Sequence, residues 1–228
     1  MTVLSLTLQD GASASKKDVK ITHAVIGGWA GRNRADIDHH IEELFALGIP
    51  RPKRVPIYFR MAASRLTTAD SIEVLSTKSS GEVECVYVQT GGKLWIGVGS
   101  DHTDRDVETY GITVSKHMCE HPISDTLWSY DSVKDHWDQL ILRSYITENG
   151  KRVLYQEGAT ASLLPPPELI EKYTEGKPME EGTLMFGGTF AAKGGVRPAD
   201  KFEYELEDPV LKRKLTGGYN IVYLPIND

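Results

Sequence analysis

The chain has 228 residues, the size of one ordinary domain, and its 40% hydrophobic and 25% charged content is typical of a globular protein. A formal net charge of −6, with no basic run interleaved with aromatics, excludes a general nucleic-acid surface. Two cysteines without disulfide or zinc spacing, no apolar stretch near the roughly 20 residues that span a bilayer, and no signal-peptide pattern point to a soluble cytoplasmic protein with no membrane partner.

In chain order, residues 3–8 alternate as a strand and run into the small polar turn G-A-S-A-S. A second strand, about Ile21 to Ile26, ends at Gly27-Gly28. The one clear helix of the N-terminal part takes Asp36 as N-cap and closes at Gly48 and Pro50. Its Ile37, Ile41, Leu44 and Phe45 fall at helical spacing, which predicts an inward face. V-P-I-Y-F-R-M reads as another strand. From about Ser71 the pattern is mostly β, with a hairpin through Asn149-Gly150, a short helix in P-P-P-E-L-I-E-K-Y, and final strands in F-E-Y-E-L-E-D and Y-N-I-V-Y-L-P. The class is β-rich α+β, with N-terminal strands and a helix over residues 1–70 and a larger β domain over 71–228.

One hairpin carries the strongest chemical signal. Glu82 and Glu84 stand two apart in G-E-V-E-C-V-Y-V, so a strand projects both to one face, opposite Val83, Cys85 and Tyr87. Gly91-Gly92 folds the chain back and can bring Asp101, in S-D-H-T-D-R-D, beside them. Three converging carboxylates repel one another and are costly to bury, which a hard divalent cation relieves. A solvated sheet face with a polar turn fits the same spacing.

Further motifs follow in order: H-I-E-E-L with His40 and Glu43; E-V-E with Glu82 and Glu84; Asp101, Arg105 and Asp106 as D-x-x-x-R-D; Lys116 ahead of Pro122; Q-E-G-A-T from Gln156; and E-G-T-L-M-F-G-G-T ending at Thr189. Read together, over about residues 21 to 205, they resemble the fumarylacetoacetate hydrolase superfamily, particularly its small acylpyruvase and oxaloacetate decarboxylase branch. There are departures. The stretch between Glu84 and Asp101 is shorter than usual, Glu108 stands where glutamine is common, Thr183 replaces an aspartate, and the loop after Thr189 is altered to F-A-A-K-G-G.

The resemblance implies a mixed β-sandwich or roll with a lid helix, a small-molecule oxo-acid substrate as partner, and a homodimer. It implies Mg²⁺ or Mn²⁺ (Ca²⁺ in vitro) held by Glu82, Glu84 and Asp101, with Lys116 as a second positive charge beside an enolate. His40 and Glu43, i and i+3 on a helix, would form a general-base dyad; His39 with Glu42 has the same spacing. Arg60 would meet the substrate carboxylate, and Gln156 and Thr189 would line the pocket, although Thr189 could simply satisfy its turn. Arg105 and Asp106 read as an internal ion pair holding the metal loop. His102, His117 and His121 read as ordinary polar residues, and Trp95, Trp128 and Trp137 as core aromatics. The implied activity is hydrolysis of a carbon–carbon bond in an acylpyruvate-like substrate. Decarboxylation of an oxaloacetate-type β-keto acid, hydration or isomerisation of an unsaturated oxo-acid, and a non-catalytic metal-binding scaffold are the alternatives.

Overall fold

The computed structural model describes residues 1–46, 51–75 and 77–226; within the first helix the side chains of residues 36, 40, 43, 44 and 46 also lie outside the description. Thr2–Asp10 (β1) points Leu4, Leu6 and Leu8 into the core and turns back at Gly11, at φ +59°. It returns as Ser13–Ile21 (β2), which pairs with β1 over its whole length. This corrects the expectation of a turn over G-A-S-A-S. β2 is an edge strand whose first six residues are exposed, so it shows polar residues and lysines instead of apolar alternation. Its ladder to β1 holds it, and no periodicity in its own sequence announces it.

After His23–Gly28 (β3) comes Arg34–Ala46 (α1). The helix starts two residues ahead of Asp36, because Asn33 Oδ1 accepts the Ala35 N–H at 3.1 Å and caps the first turn. Ile41 is buried and Ile37 half-buried, but Phe45 is 47% exposed, with the Arg51 guanidinium 3.6 Å above its ring. The inward face is therefore narrower than the spacing predicts. The expected stop at Gly48 and Pro50 lies outside the described residues.

The remaining elements are Ile57–Met61 (β4), Ser71–Leu75 (β5), Val83–Thr90 (β6), Lys93–Ser100 (β7), Arg105–Tyr110 (α2), Ile112–Met118 (α3) and Thr126–Ser129 (β8). Ile141–Glu148 (β9), Lys151–Ala159 (β10), Pro166–Thr174 (α4), Thr183–Phe186 (β11), Lys201–Asp208 (β12) and Arg213–Leu224 (β13) complete the chain. The β9–β10 hairpin turns at Asn149-Gly150, both with positive φ, as the Asn-Gly pair predicts.

An eight-stranded sheet runs β2-β1-β8-β7-β6-β11-β3-β4, and a five-stranded sheet runs β10-β9-β12-β13-β5. Residues up to 61 thus supply four of the eight strands of the larger sheet. That sheet curls on itself: Leu6 and Ile21 at one end meet Ala24, Ile26, Val86, Leu184 and Phe186 in one apolar cluster. Its other face, with Val25, Cys85, Tyr87 and Met185, packs on Leu142, Phe202, Leu215 and Tyr219 of the smaller sheet. Trp95, Trp128 and Trp137 are all buried in these cores, as expected of them. The β-rich α+β class holds. No helix among the described residues is long and apolar enough to cross a membrane.

Candidate functional site

β6 and β7 pair antiparallel around Gly91-Gly92, with Glu84 opposite Gly99 and Val83 opposite Ser100. One step further, the Asp101 N–H donates to the Glu82 carbonyl at 2.9 Å, so Glu82 and Asp101 stand side by side at the mouth of the hairpin. Glu84 shares its sheet face with Val86 and Val88, inside the curl, and is 3% exposed; Asp101 is 1% exposed. The excursion from Asp101 to Pro122 is pinned at both ends. Thr103-Asp104 pairs with Ser79-Ser80, and His121-Pro122 pairs with Leu66-Thr67. Between them lie α2 and α3, neither of which the sequence announces. Asp104 starts α2 by accepting the Val107 N–H, and each helix is too short to show a period.

Gly99 makes this closure possible. A Cβ there would come within 2.7 Å of the Pro122 carbonyl and 2.9 Å of Ile123 Cγ2. The missing side chain lets the 121–123 segment lie against β7, so His121 reaches Asp101. Gly188 serves the other side. At φ +91° it turns the chain after β11 and its N–H donates to Glu84 Oε2 at 2.9 Å.

Lys116, on α3, is 4% exposed. Its Nζ lies 2.5 Å from Asp101 Oδ2, 2.9 Å from Thr103 Oγ1 and 3.8 Å from Glu82 Oε2. Burial works to lower its pKa, yet Asp101 and Glu82 carry it above the ordinary lysine value, so it stays charged. Burial likewise works to raise Asp101, but Lys116 and His121 hold that carboxyl below its ordinary value. Glu84 fares differently. Burial, then the Asp101 and Glu82 charges, push it well above 4.5, and the Gly188 N–H only partly offsets them.

Arg105 corrects the expected pairing with Asp106. Its guanidinium lies 3.0 Å from Glu108, 3.5 Å from Glu82 and 2.7 Å from Ser80 Oγ, while Asp106 is exposed. Neighbours i and i+1 on a helix diverge, whereas i and i+3 meet. Lys116 and Arg105 thus supply the counter-charge to the carboxylates. Among the described residues no three Asp, Glu, His or Cys side chains form a ready-made metal-binding group. The donor set nevertheless suits a hard cation: three clustered carboxylates, one of them buried with a single N–H partner and an unfavourable charge.

Gln156 is 1% exposed and fully used by the protein. Its Oε1 accepts from the Val83 N–H and Ser144 Oγ, and its Nε2 donates to Thr189 Oγ1 and the Phe190 carbonyl. Thr189 Oγ1 donates in turn to the Val83 carbonyl at 2.7 Å. Together they grip the backbone between the two glutamates. Arg60 sits elsewhere. It pairs with Val25 across β3–β4, on the face opposite Phe59, Phe186 and Val86, and therefore opposite Glu84. It donates to the Tyr173 hydroxyl at 3.2 Å instead. His40 and Glu43 fall on α1, but their side chains lie outside the described residues.

Two histidines that spacing alone dismissed surround Asp101. His102 is fully buried, with Nδ1 2.7 Å from the Tyr219 hydroxyl and Nε2 2.9 Å from Ser79 Oγ. Burial, with the nearby His121 and Arg105, lowers its pKa to about 3, so it is neutral. His121 is also fully buried, its Nε2 2.7 Å from the Lys116 carbonyl and its Nδ1 3.3 Å from Asp101 Oδ1. Cys119 is buried and its thiol is pushed up to about 12, chiefly by burial, which leaves it inert.

No curated protein matches the chain in sequence. Solved structures do match in fold. Fumarylpyruvate hydrolase from Pseudomonas aeruginosa, in complex with Mn²⁺ and pyruvate, superposes with a TM-score of 0.65 at 15% identity, over 96% of this chain and 97% of that one. A 2-keto-3-deoxy-D-arabinonate dehydratase complexed with magnesium and 2,5-dioxopentanoate gives 0.66 at 16%, over 94% and 78%. 4-Oxalocrotonate decarboxylase from Pseudomonas putida G7, complexed with calcium and acetate, gives 0.55 at 14%, over 87% and 77%. The chain shares the α+β fold of these three proteins. By sequence, residues 27–219 match the model of a family described as a protein of unknown function (DUF2848), and the chain belongs to that family.

Proposed function

We propose that this protein is a divalent-metal-dependent enzyme that breaks a carbon–carbon bond in a small oxo-acid, with hydrolysis of an acylpyruvate-like substrate as the leading reaction. One observation carries the reading: Glu82, Glu84 and Asp101 share one partly closed site with a buried, charged Lys116. The fold neighbours' own ligands, Mn²⁺ with pyruvate and magnesium with a dioxo-acid, support it by analogy.

Glu82, Glu84 and Asp101 would hold Mg²⁺ or Mn²⁺, which when bound supplies Lewis-acid stabilisation of negative charge on a keto oxygen. Lys116 brings a fixed ammonium to the same place. Thr103 and Asp101 orient it, and burial keeps water from screening it, so it stabilises charge that develops on an enolate oxygen. Gln156 and Thr189 hold Val83 and so set the direction of both glutamates. Arg105 anchors Glu82 and Glu108 to the 79–80 ladder. His40, oriented by Glu43, would accept a proton from the attacking water in hydrolysis.

The second reading is decarboxylation of an oxaloacetate-type acid, whose chemistry calls on Lys116 and the carboxylates and needs no attacking water. One set of assays separates the two. Small acylpyruvates and oxaloacetate are offered with Mn²⁺ to the wild type, Lys116→Ala and His40→Ala. Lys116→Ala is expected to lose about 100-fold or more on either substrate. His40→Ala is expected to lose hydrolysis and spare decarboxylation; equal loss of both overturns its role as base. No turnover of either acid, and no rise in melting temperature with Mn²⁺ plus oxalate, overturns the enzyme reading.

A further inference from the structure

The charged side chains of the site divide into an inner and an outer set. Glu84, Asp101 and Lys116 are closed off from solvent. Glu82, Arg105 and Glu108 keep side-chain exposures of 23%, 20% and 30%, so these three form the rim past which a substrate tail extends. Arg105 is the one cation of this rim, and each nitrogen of its guanidinium is already taken. Nε donates to Ser80 Oγ at 2.7 Å and Nη1 to Glu108 Oε2 at 3.0 Å. Nη2 donates to the Ser80 carbonyl at 3.4 Å and stands 3.5 Å from Glu82 Oε2. The rim therefore sets two carboxylates against one spent guanidinium. Its field reaches inward as well: burial opposes the Lys116 charge, and Asp101, Glu82 and then Glu108 sustain it.

We propose that Glu108 selects the substrate by the charge of its far end: the site takes an oxo-acid with an uncharged tail and turns away one that carries a second carboxylate there; this rests on the acylpyruvate reading above. The keto-acid end carries its own negative charge inward, toward the Lys116 ammonium. The tail is left beside Glu82 and Glu108, where a second carboxylate meets two like charges and no free cation. Glu108 acts twice. It supplies one of the repelling charges, and, three residues after Arg105 on α2, it occupies the Nη1 that would otherwise be open to a carboxylate in the paired geometry a guanidinium favours. Like charges about 6 Å apart, between the limits of bulk water and a protein surface, change binding on the order of tenfold.

The test offers the full chain, with Mn²⁺, two acids of equal length: butyrylpyruvate and succinylpyruvate, which differ only in a terminal methyl against a carboxylate. The wild type is expected to favour butyrylpyruvate in kcat/KM by at least about tenfold. Glu108→Gln is expected to bring that ratio close to unity, chiefly through a lower KM for succinylpyruvate, whereas Glu108→Asp, which keeps the charge, keeps the preference. Should neither acid turn over, the same ratio is read from dissociation constants in calorimetry. Binding without turnover then overturns hydrolysis and still decides the role of Glu108. A wild type that treats the acids alike or prefers succinylpyruvate, or a ratio that Glu108→Gln leaves in place, overturns the selection while the oxo-acid reading stands. A preference lost as fully in Glu108→Asp as in Glu108→Gln traces to packing and overturns it too. Binding of neither acid overturns both.

Discussion

Two buried carboxylates in this molecule have opposite fates. Asp208, at the corner between β12 and β13, is fully buried and fully answered. Its Oδ1 accepts the Val210 and Leu211 N–H groups and faces His136 Nε2 at 3.0 Å, and its Oδ2 accepts from Arg213 Nε at 3.0 Å. Burial works to raise its pKa, yet these partners leave it below 3.8. Glu84 is as buried but receives one N–H, from Gly188, and faces two other carboxylates; its pKa is driven up. A fold that only needed stability would have no use for Glu84 as an acid. The first carboxylate closes a corner, whereas the second stores an electrostatic demand that a bound cation would answer.

Substitution separates the two most sharply. Glu84→Gln is expected to lower turnover by about 100- to 1,000-fold and to remove the Mn²⁺-induced rise in melting temperature. The metal-free variant should nonetheless be as stable as the wild type or more so, because a repelled charge has gone. Asp208→Asn should do the reverse. Breaking a buried ionic cluster costs about 3 kcal/mol in denaturant titration, with turnover per folded molecule unchanged. A large stability loss in Glu84→Gln would undo the contrast.

Gly99→Ala tests whether the site depends on the close approach of the 121–123 segment. Forcing a methyl against the Pro122 carbonyl should cost about 2 kcal/mol and weaken Mn²⁺ binding as well. A change in stability alone would detach that segment from the site.

The smallest effect is in the pH dependence of metal-free stability. Glu84, raised in the folded state, favours folding below its unfolded value near 4.5, and that contribution is lost as pH rises through the raised value. Asp208, lowered, favours folding above 3.8, and its contribution is lost as pH falls through its folded value. Denaturation across pH should therefore show Glu84→Gln flattening the decline on the upper side and Asp208→Asn flattening the decline on the acid side.

The β6–β7 hairpin was legible because its information is local: alternation places Glu82 and Glu84 on one face, and Gly91-Gly92 sets the turn. Asn149-Gly150 was legible for the same reason. β2 was not, since an exposed edge strand needs no apolar period. Nor was the side of the sheet taken by Arg60. Its alternation with Phe59 is evident in the chain, but which of the two looks toward Glu84 depends on pairing with β3 and, through β11, with β6. His121 carried no motif. Its place comes from a parallel bridge to residues 66–67 and from a glycine on another strand.

By itself the sequence determined the β-rich class, the paired glutamates with Asp101 opposite, and the presence of Lys116 downstream, because each rests on spacing within a few residues or on a motif. Tertiary structure alone decided that Lys116 is buried and charged against Asp101, that Arg105 serves Glu82 and Glu108, and that Gln156 and Thr189 grip the strand. It alone set the buried His121 ring 3.3 Å from the Asp101 carboxylate. Contacts among residues far apart in the chain depend on register and sheet curvature, which short-range pattern does not encode.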